Sequence, residues 1–463
     1  MLNLKELLIE KISHFLRMSK NKPSFDKSRP LPQGKANRFV WILAIFLVVG
    51  AGMLLQKKLW KLSRKQNAIR RSVKKLKNRA IGTPYYLGEL SAPLKFSLIP
   101  YGEDTGLVVG VKKVNIRNVI APYNASLVES KSGYDLFFRY DIISSRAKYA
   151  RFYSHIGVVH LNDQFEQENK EFKRIDLQTE YAEDPRAVLI NDQLHLFYNT
   201  LDNKNLRNRF MCVANLDRES FQVNYNTILD MNLQWIEKNW SPFEYIGVNQ
   251  EPQFLIEYQI SPRKLLKLSD PRMGEIKSLR VPKEVSYLSL LWPNEWGSVR
   301  GGTPAKKIGN EYLGFFHSSF KEDNGLVWYV MGAYTFEAHH PFRITGISNH
   351  PILFRGIFDT PYINTASLDK RVIFPSGFVL EKQKDKELIH VACGENDSAV
   401  KIITLDKEKL LEKIREEKAI NLKKFQENYN LNKSDDAWFY DGKVMAFSDC
   451  IKIVEEICGC DGK

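Results

Sequence analysis

From about residue 85 the chain repeats one pattern: a turn, an aromatic-rich β run, and a second β run soon after. "YDLFFRYD" (134–141) is followed by "SHIGVVHL" (154–161), and "DQLHLFYNT" (192–200) by "RFMCVANL", which ends at Leu216. "PQFLIEYQI" (252–260) is followed by "RKLLKL", "NEYLGFFHSS" (310–319) by "LVWYVMGAYTFE", and "KELIHVACG" (386–394) by "SAVKIITL". The first four units recur roughly every 60 residues and the fifth is more widely spaced; repetition at such a period marks a propeller or solenoid. Blades of about four strands fit a unit of this length. We therefore expect an all-β fold, a five-bladed β-propeller over residues 85–405.

The rest of the chain reads differently. Of 463 residues 43% are apolar and 12% aromatic, so a large core is affordable. The net charge of +14 is concentrated in the first eighty residues and says little about the main domain's partners. Residues 1–38 form a tail; within it 2–18 have apolar side chains at helical spacing, as in a membrane-surface helix or a plain amphipathic one. "FVWILAIFLVVGAGMLL", Phe39 to Leu55, carries no charge and meets the low end of a bilayer span. It lies too far from residue 1, without a cleavage site, for a signal peptide. We expect a transmembrane anchor over 39–56 and a basic stem over 57–84. The fifteen residues after the span are the more basic, which leans towards a single-pass membrane protein with a cytoplasmic C-terminal domain. The stem has almost no aromatics for base stacking, so a nucleic-acid role is not expected.

Residues 406–463 read as a helical C-terminal extension packing on the propeller. Over 406–429 its charges fall at i, i+4 spacing, a solvated helix. The five cysteines are Cys212, Cys393, Cys450, Cys458 and Cys460. Odd in number and crowded at one end, they are no disulfide framework. The terminal "CGC" lacks the further ligands of a tetrahedral metal site and fits a plain tail best.

In a propeller the inner ends of the repeats converge on one pocket. Repeat one offers Asn124 in "APYNASL" and Arg139 inside "LFFRYD". Repeat two offers Glu183, Asp184 and Arg186. Repeat three offers Lys238 and Asn239 in "EKNWSPF". Repeat four offers Arg300 in "RGGTP" and His317 in "FFHSS", and repeat five offers Phe374 in "VIFPSG" and Asp397 in "GENDS". Each has a plain structural reading. Arg139 suits a buried ion pair, His317 a satisfied core histidine, and Asp184-Pro185-Arg186 a capped turn. One buried polar group in every repeat is harder to explain by packing, because buried charge is expensive unless paired.

The order "YNASL … FFRYD … AEDPRAVL … KNWSPF … GGTPAKKIGNEYLGFFHS … RVIFPSGFVL … ACGENDSAV" resembles glycoside hydrolase family 130 and its mannosyltransferase relatives, over about residues 95–405. The resemblance implies a five-bladed propeller acting on β-mannosides by phosphorolysis, hydrolysis or mannosyl transfer. It implies Asp184 as the catalytic acid, acting through a sugar hydroxyl, and Asn124, Arg139 and Asp397 as sugar-holding residues with Phe374 as a pocket aromatic. Glu183 and Arg186 are expected beside the substrate. Lys238, Asn239, Arg300 and His317 look like the family's phosphate-binding group. Here Lys238 stands where Arg is usual and Arg300 near where Lys is usual, which keeps the charge but changes its geometry.

Retained cations favour phosphorolysis, or transfer from a phosphorylated sugar donor, over hydrolysis; Glu237 keeps hydrolysis open. Inversion needs an acid on the leaving oxygen and a nucleophile on the opposite face. No cofactor or metal is expected beyond phosphate or a phosphorylated donor as co-substrate, and the partner is a carbohydrate. Sequons at Asn124, Asn239 and Asn396 fall in or beside the pocket, where a glycan would block it; this leans again towards the cytoplasm. The expected function is a membrane-anchored inverting β-mannoside phosphorylase or mannosyltransferase. The rivals are a β-mannoside hydrolase and a non-catalytic glycan- or protein-binding propeller.

Overall fold

The computed structural model describes residues 94–143, 152–202, 208–229, 234–247, 251–281, 292–323, 325–348, 350–361, 370–415, 438–440 and 443–445. The chain divides into two units, Met1–Gly82 and Thr83–Lys463. All described residues lie in the second, and they form an all-β structure with little helix.

Strand β1 is Val108–Val114. A first antiparallel sheet holds β2 (Tyr123–Glu129), β3 (Tyr134–Ile143), β4 (Phe152–Leu161) and β5 (Lys173–Arg174) in chain order. A second holds β6 (Glu183–Ile190), β7 (Gln193–Leu201), β8 (Arg209–Leu216) and β9 (Val223–Leu229). A third holds β10 (Ser241–Ile246), β11 (Pro252–Gln259), β12 (Lys264–Asp270) and β13 (Glu275–Leu279). The fourth unit starts with a broken strand, β14 (Arg300–Gly301) and β15 (Lys306–Ile308), both paired with β16 (Glu311–Lys321), and continues through β17 (Val327–Glu337) to β18 (Ile344–Ile347). The fifth comprises β19 (Lys370–Lys382), β20 (Glu387–Glu395) and β21 (Ala399–Asp406), completed by β1 from the other end of the domain. A three-residue parallel pairing, Val327–Tyr329 with Lys370–Val372, joins the last two units into one nine-stranded sheet.

The innermost strands touch in sequence: β19 lies against β2, β2 against β6, and β6 against β10. Burial explains the patterns. The middle strands β7, β16 and β20 are buried along nearly their whole length, so they read as continuous apolar and aromatic runs. β9 and β1 lie farthest out and alternate between half-buried and exposed. Local turn chemistry sets the register: Asn191 and Asp192 both have positive φ (50° and 56°) and close a two-residue hairpin between Ile190 and Gln193. Between the third and fourth units, wholly buried Arg263 donates to Glu257 at 2.6 Å, and the Tyr334 hydroxyl donates to the same carboxylate.

Cys212 and Cys393 are buried free thiols. Residues 407–415 are helical, and Leu410 and Ile414 join the core that contains Phe336 and Ile347. The helix expected beyond 415 and the "CGC" tail lie outside the described residues, though a short hairpin pairs β22 (Trp438–Tyr440) with β23 (Lys443–Met445). The expectation of a single-pass membrane protein is corrected by the structure. Among the described residues, no helix is long and apolar enough to cross a membrane. The tail, the span over 39–56 and the basic stem all lie outside the described residues.

Candidate active site

Two inner strands begin with the same backbone event, and the segment leading into a third repeats it. Asn124, Asp184 and Asn239 all have positive φ (46°, 53° and 65°), and Asp397, in the turn after β20, has φ 50°. At Asn124 and Asp184 the ladder register shifts, between Tyr123 and Ser126 and between Glu183 and Arg186. Such bulges re-aim side chains, and Asn and Asp tolerate the left-handed bend best among non-glycine residues. Local sequence therefore turns one polar side chain out of each strand at the same end.

These side chains meet. Asn124 Nδ2 donates to Asp184 Oδ1 at 2.7 Å, and Arg139 Nη1 donates to the same oxygen at 3.3 Å. Arg139 also pairs with Glu183 at 3.1 Å and with Asp141 at 3.2 Å. Asp141 takes hydrogen bonds from Tyr123 and Ser154, each at 2.7 Å, and the Arg139 guanidinium lies 4.9 Å from the Tyr123 ring. Arg209 reaches Glu183 and donates to Asn199 Oδ1 at 2.8 Å. Burial alone would raise the Asp184 carboxyl. Arg139, the Asn124 hydrogen bond, Arg186 and Lys238 outweigh it and hold the group down to about 2, so Asp184 is a carboxylate at neutral pH. Asp397 bears on the same network: after burial, Asp141 and Asp397 are the charges that push the Tyr123 phenol well above its usual value, against Arg139.

Arg186 plays another part. It is wholly buried, and its guanidinium donates to Gly302 O at 2.6 Å, Gly301 O at 3.2 Å and Asp184 O at 3.3 Å, with Asn239 Oδ1 at 3.4 Å. It is committed to protein carbonyls and ties the start of β6 to the Gly301-Gly302 turn. That turn needs glycine. A Cβ on Gly301 would lie 2.2 Å from Asn239 O, and one on Gly302 would lie 2.5 Å from Phe315 O. We expect Gly301→Ala to cost about 1–3 kcal/mol, as overpacked sites do, and to displace the neighbouring Arg300. A melting temperature equal to wild type would contradict this.

The cations gather beside Asp184. Arg300 is the cross-strand partner of His317. His317 is buried against Phe374, ring centroids 4.3 Å apart, and its Nδ1 has no partner in the protein. Burial first, then Arg186, Arg300 and Lys238, lower its pKa well below the usual value, so the imidazole is neutral. Lys238 and Arg300 are exposed, at the edge of a cavity of about 880 Å³ that Asn239 and Gly301 also line. Asn124 Oδ1 and Ser241 Oγ are likewise buried without partners. Buried polar atoms left unpaired are what a polar ligand can satisfy.

The structure thus brings Asn124, Arg139, Glu183 and Asp184 into direct contact, with Lys238, Asn239, Arg300, His317 and Phe374 next to them through Arg186. Sequence reasoning missed Tyr123, Asp141, Ser154 and Arg209. Tyr123 and Asp141 lie inside motifs already quoted, "APYNASL" and "LFFRYD"; nothing marks Ser154 or Arg209. Asn396 is fully buried: its Oδ1 accepts from Val372 N at 2.9 Å, and its Nδ2 donates to Phe358 O and Thr360 O. Among the described residues no group of three or more His, Cys, Asp and Glu has a metal-holding arrangement.

A family model described as beta-1,4-mannooligosaccharide phosphorylase matches residues 102–416. The chain belongs to glycoside hydrolase family 130. Family 130 membership makes it a carbohydrate-active enzyme of the mannoside phosphorylase kind. A β-1,2-mannobiose phosphorylase from Listeria innocua is 16% identical, with a TM-score of 0.46 over 68% of this chain and 98% of that one. A mannose phosphorylase from Leishmania mexicana, in complex with phosphate, is 14% identical, with a TM-score of 0.44 over 66% of this chain and 91% of that one. A GDP-Man-dependent mannosyltransferase from the same organism is 11% identical, with a TM-score of 0.41 over 66% of this chain and 92% of that one. Among curated proteins, none matches the chain.

Proposed function

We propose that this family 130 member, read as a five-bladed β-propeller, transfers a β-mannosyl group with inversion, from a donor bearing phosphate on its anomeric carbon to a glycan hydroxyl. One observation carries the reading: an ionised carboxylate, Asp184, stands beside a group of cations and a neutral histidine, with both of its protein hydrogen bonds on Oδ1. Oδ2 is then the oxygen available to substrate. A carboxylate held near 2 is a poor proton donor at pH 7 but can accept a proton as a new bond forms.

In the transfer direction the acceptor oxygen attacks the anomeric carbon, and its proton passes to Asp184, directly or through a sugar hydroxyl. The bond from the anomeric carbon to the phosphate oxygen breaks on the opposite face. The departing phosphate keeps the electron pair and meets Lys238, Asn239, Arg300 and His317. Arg139, fixed between Asp141, Glu183 and Asp184, orients the carboxylate; Asn124, Asp397 and Phe374 line the sugar position. The reverse reaction is phosphorolysis. A hydrolytic reading would need a carboxylate free to activate water near the cations. Glu237 is buried there, but its oxygens take the Trp240 indole at 3.1 Å and the Tyr258 hydroxyl at 3.4 Å.

The test mixes the protein with mannobiose and either mannose 1-phosphate or GDP-mannose, and separately with mannobiose and inorganic phosphate. We expect a lengthened glycan, or mannose 1-phosphate in the reverse assay. Arg300→Ala should raise the KM of the phosphorylated donor about 10- to 100-fold, the worth of one charge-assisted hydrogen bond. Release of free mannose alone, indifferent to phosphate and to Arg300→Ala, would overturn the reading in favour of hydrolysis.

A further inference from the structure

Asp184 shares its arginine. Arg139 Nη1 reaches Asp184 Oδ1 at 3.3 Å and Glu183 Oε2 at 3.1 Å, while Arg139 Nε reaches Asp141 at 3.2 Å. One cation thus faces three carboxylates, none of them more than 12% exposed. Such charges are costly unless each is paired. Asn124, Tyr123 and Ser154 bring hydrogen bonds to this group but no charge. Arg186 lies close by, yet its guanidinium is committed to backbone carbonyls and Asn239. Lys238 stands exposed at the edge.

The second cation comes from β8, which Arg209 opens. Arg209 Nη1 donates to Glu183 Oε2, the same oxygen that Arg139 takes, and to Asn199 Oδ1 on β7 at 2.8 Å. Asn199 is the cross-strand partner of Glu183 and donates to its carbonyl at 3.3 Å, so residue 183 is held by side chain and backbone together. Arg209 is itself fixed from behind. Its N–H donates to Trp235 O and its carbonyl accepts from Glu237 N, both at 3.0 Å. A change of side chain at 209 leaves both of those main-chain groups in place.

Without Arg209, Glu183 would have Arg139 alone, and Arg139 Nη1 already lies nearer to Glu183 than to Asp184. The guanidinium would be drawn towards Glu183, and Asp184 would lose its alignment. Resting on the catalytic reading of Asp184, we infer that Arg209 is a positioning residue: it takes up the charge of Glu183 and so leaves Arg139 to hold Asp184 in line. Glu183 is then the joint between two arginines rather than a substrate contact.

The test is steady-state kinetics of the full chain with mannobiose and either mannose 1-phosphate or GDP-mannose. Arg209→Met should lower kcat about 10- to 100-fold, the scale of a misplacement of about 1 Å, with the donor KM within about threefold. Removing the charge that Arg209 serves should rescue the variant: Arg209→Met combined with Glu183→Gln should return kcat to within about threefold of Glu183→Gln alone. Arg209→Lys, which keeps the charge, should be faster than Arg209→Gln, which does not. Should Arg209→Met fail to fold, the lysine and glutamine variants decide. A double variant as slow as Arg209→Met, or lysine no faster than glutamine, would make Arg209 a packing residue only and overturn the inference. A kcat of Arg209→Met within threefold of wild type, with Asp184→Asn inactive, would also overturn it and leave the catalytic role of Asp184 standing. Full activity in Asp184→Asn would remove both.

Discussion

Asp184→Asn is expected to lower kcat for mannosyl transfer by about 10²–10⁴, the usual contribution of a positioned acid or base, while the protein still folds. The substitution separates chemistry from structure unusually well. Asparagine tolerates the φ of 53° at this position about as well as aspartate does. Asn124 and Arg139 both donate to Oδ1, and an amide keeps an oxygen there. Only Oδ2 changes, from a proton acceptor to an NH₂ group. The variant does lose charge pairing with Arg139. The folded carboxyl is held at about 2 against an ordinary 3.8 by Arg139, Asn124, Arg186 and Lys238 together, so its ionisation stabilises the native state above pH 4 by about 2 kcal/mol. Because the folded pKa is the lower one, this contribution fades as pH falls from about 4 towards 2. Melting curves of wild type and variant should therefore converge across that window. Activity of the variant within threefold of wild type would remove Asp184 from the mechanism.

Arg186→Met should be the most destabilising of the site substitutions, costing about 3–5 kcal/mol in urea unfolding at pH 7. The arginine is wholly buried and satisfies the carbonyls of Asp184, Gly301 and Gly302. Methionine fills the space but strands those acceptors in a dry interior, where each unmet group costs about 1–3 kcal/mol. The same change frees the Gly301-Gly302 turn, so Arg300 loses its position and donor affinity falls with stability. Arg186→Lys should be intermediate, since one ammonium lacks the planar fork that reaches several carbonyls. A cost below about 1 kcal/mol for Arg186→Met would mean that the carbonyls find other donors and that the arginine is not a strut.

Much of the fold was legible because the middle strands of each unit are sandwiched between neighbours. "DQLHLFYNT" and "NEYLGFFHSS" announce themselves as β7 and β16 through unbroken apolar and aromatic runs. The innermost strands were harder to read as strands. "EDPRAVLI" and "YNASLVE" open on polar residues because those residues face the site, so strand signal and site signal cancel. The short outer strands carry only alternation. At the site, polar residues lodged in apolar surroundings picked out Arg139 and His317, and family resemblance ordered the rest. The fate of Arg186 was beyond sequence. Its acceptors, Gly301 and Gly302, lie 115 and 116 residues away, and only the folded chain brings them near. Arg209 was missed for the same reason, as its partner Glu183 is 26 residues distant and no local pattern links them.

The pairing of β1 with β21 has a consequence for synthesis. Val114 meets Val400 and Val108 meets Leu405, so the fifth unit is finished by a strand made almost three hundred residues before its partner. A nascent chain carries Asp184 and Arg139 long before it carries Phe374 or Asp397. Until residue 406 has emerged, the fifth sheet lacks its last pairing, and contacts of such sequence separation form slowly. A ribosome-bound chain stalled before β21 would therefore hold Asp184 without the finished fifth sheet that carries Phe374. The fifth sheet is completed only when the last strand joins β1 to β20.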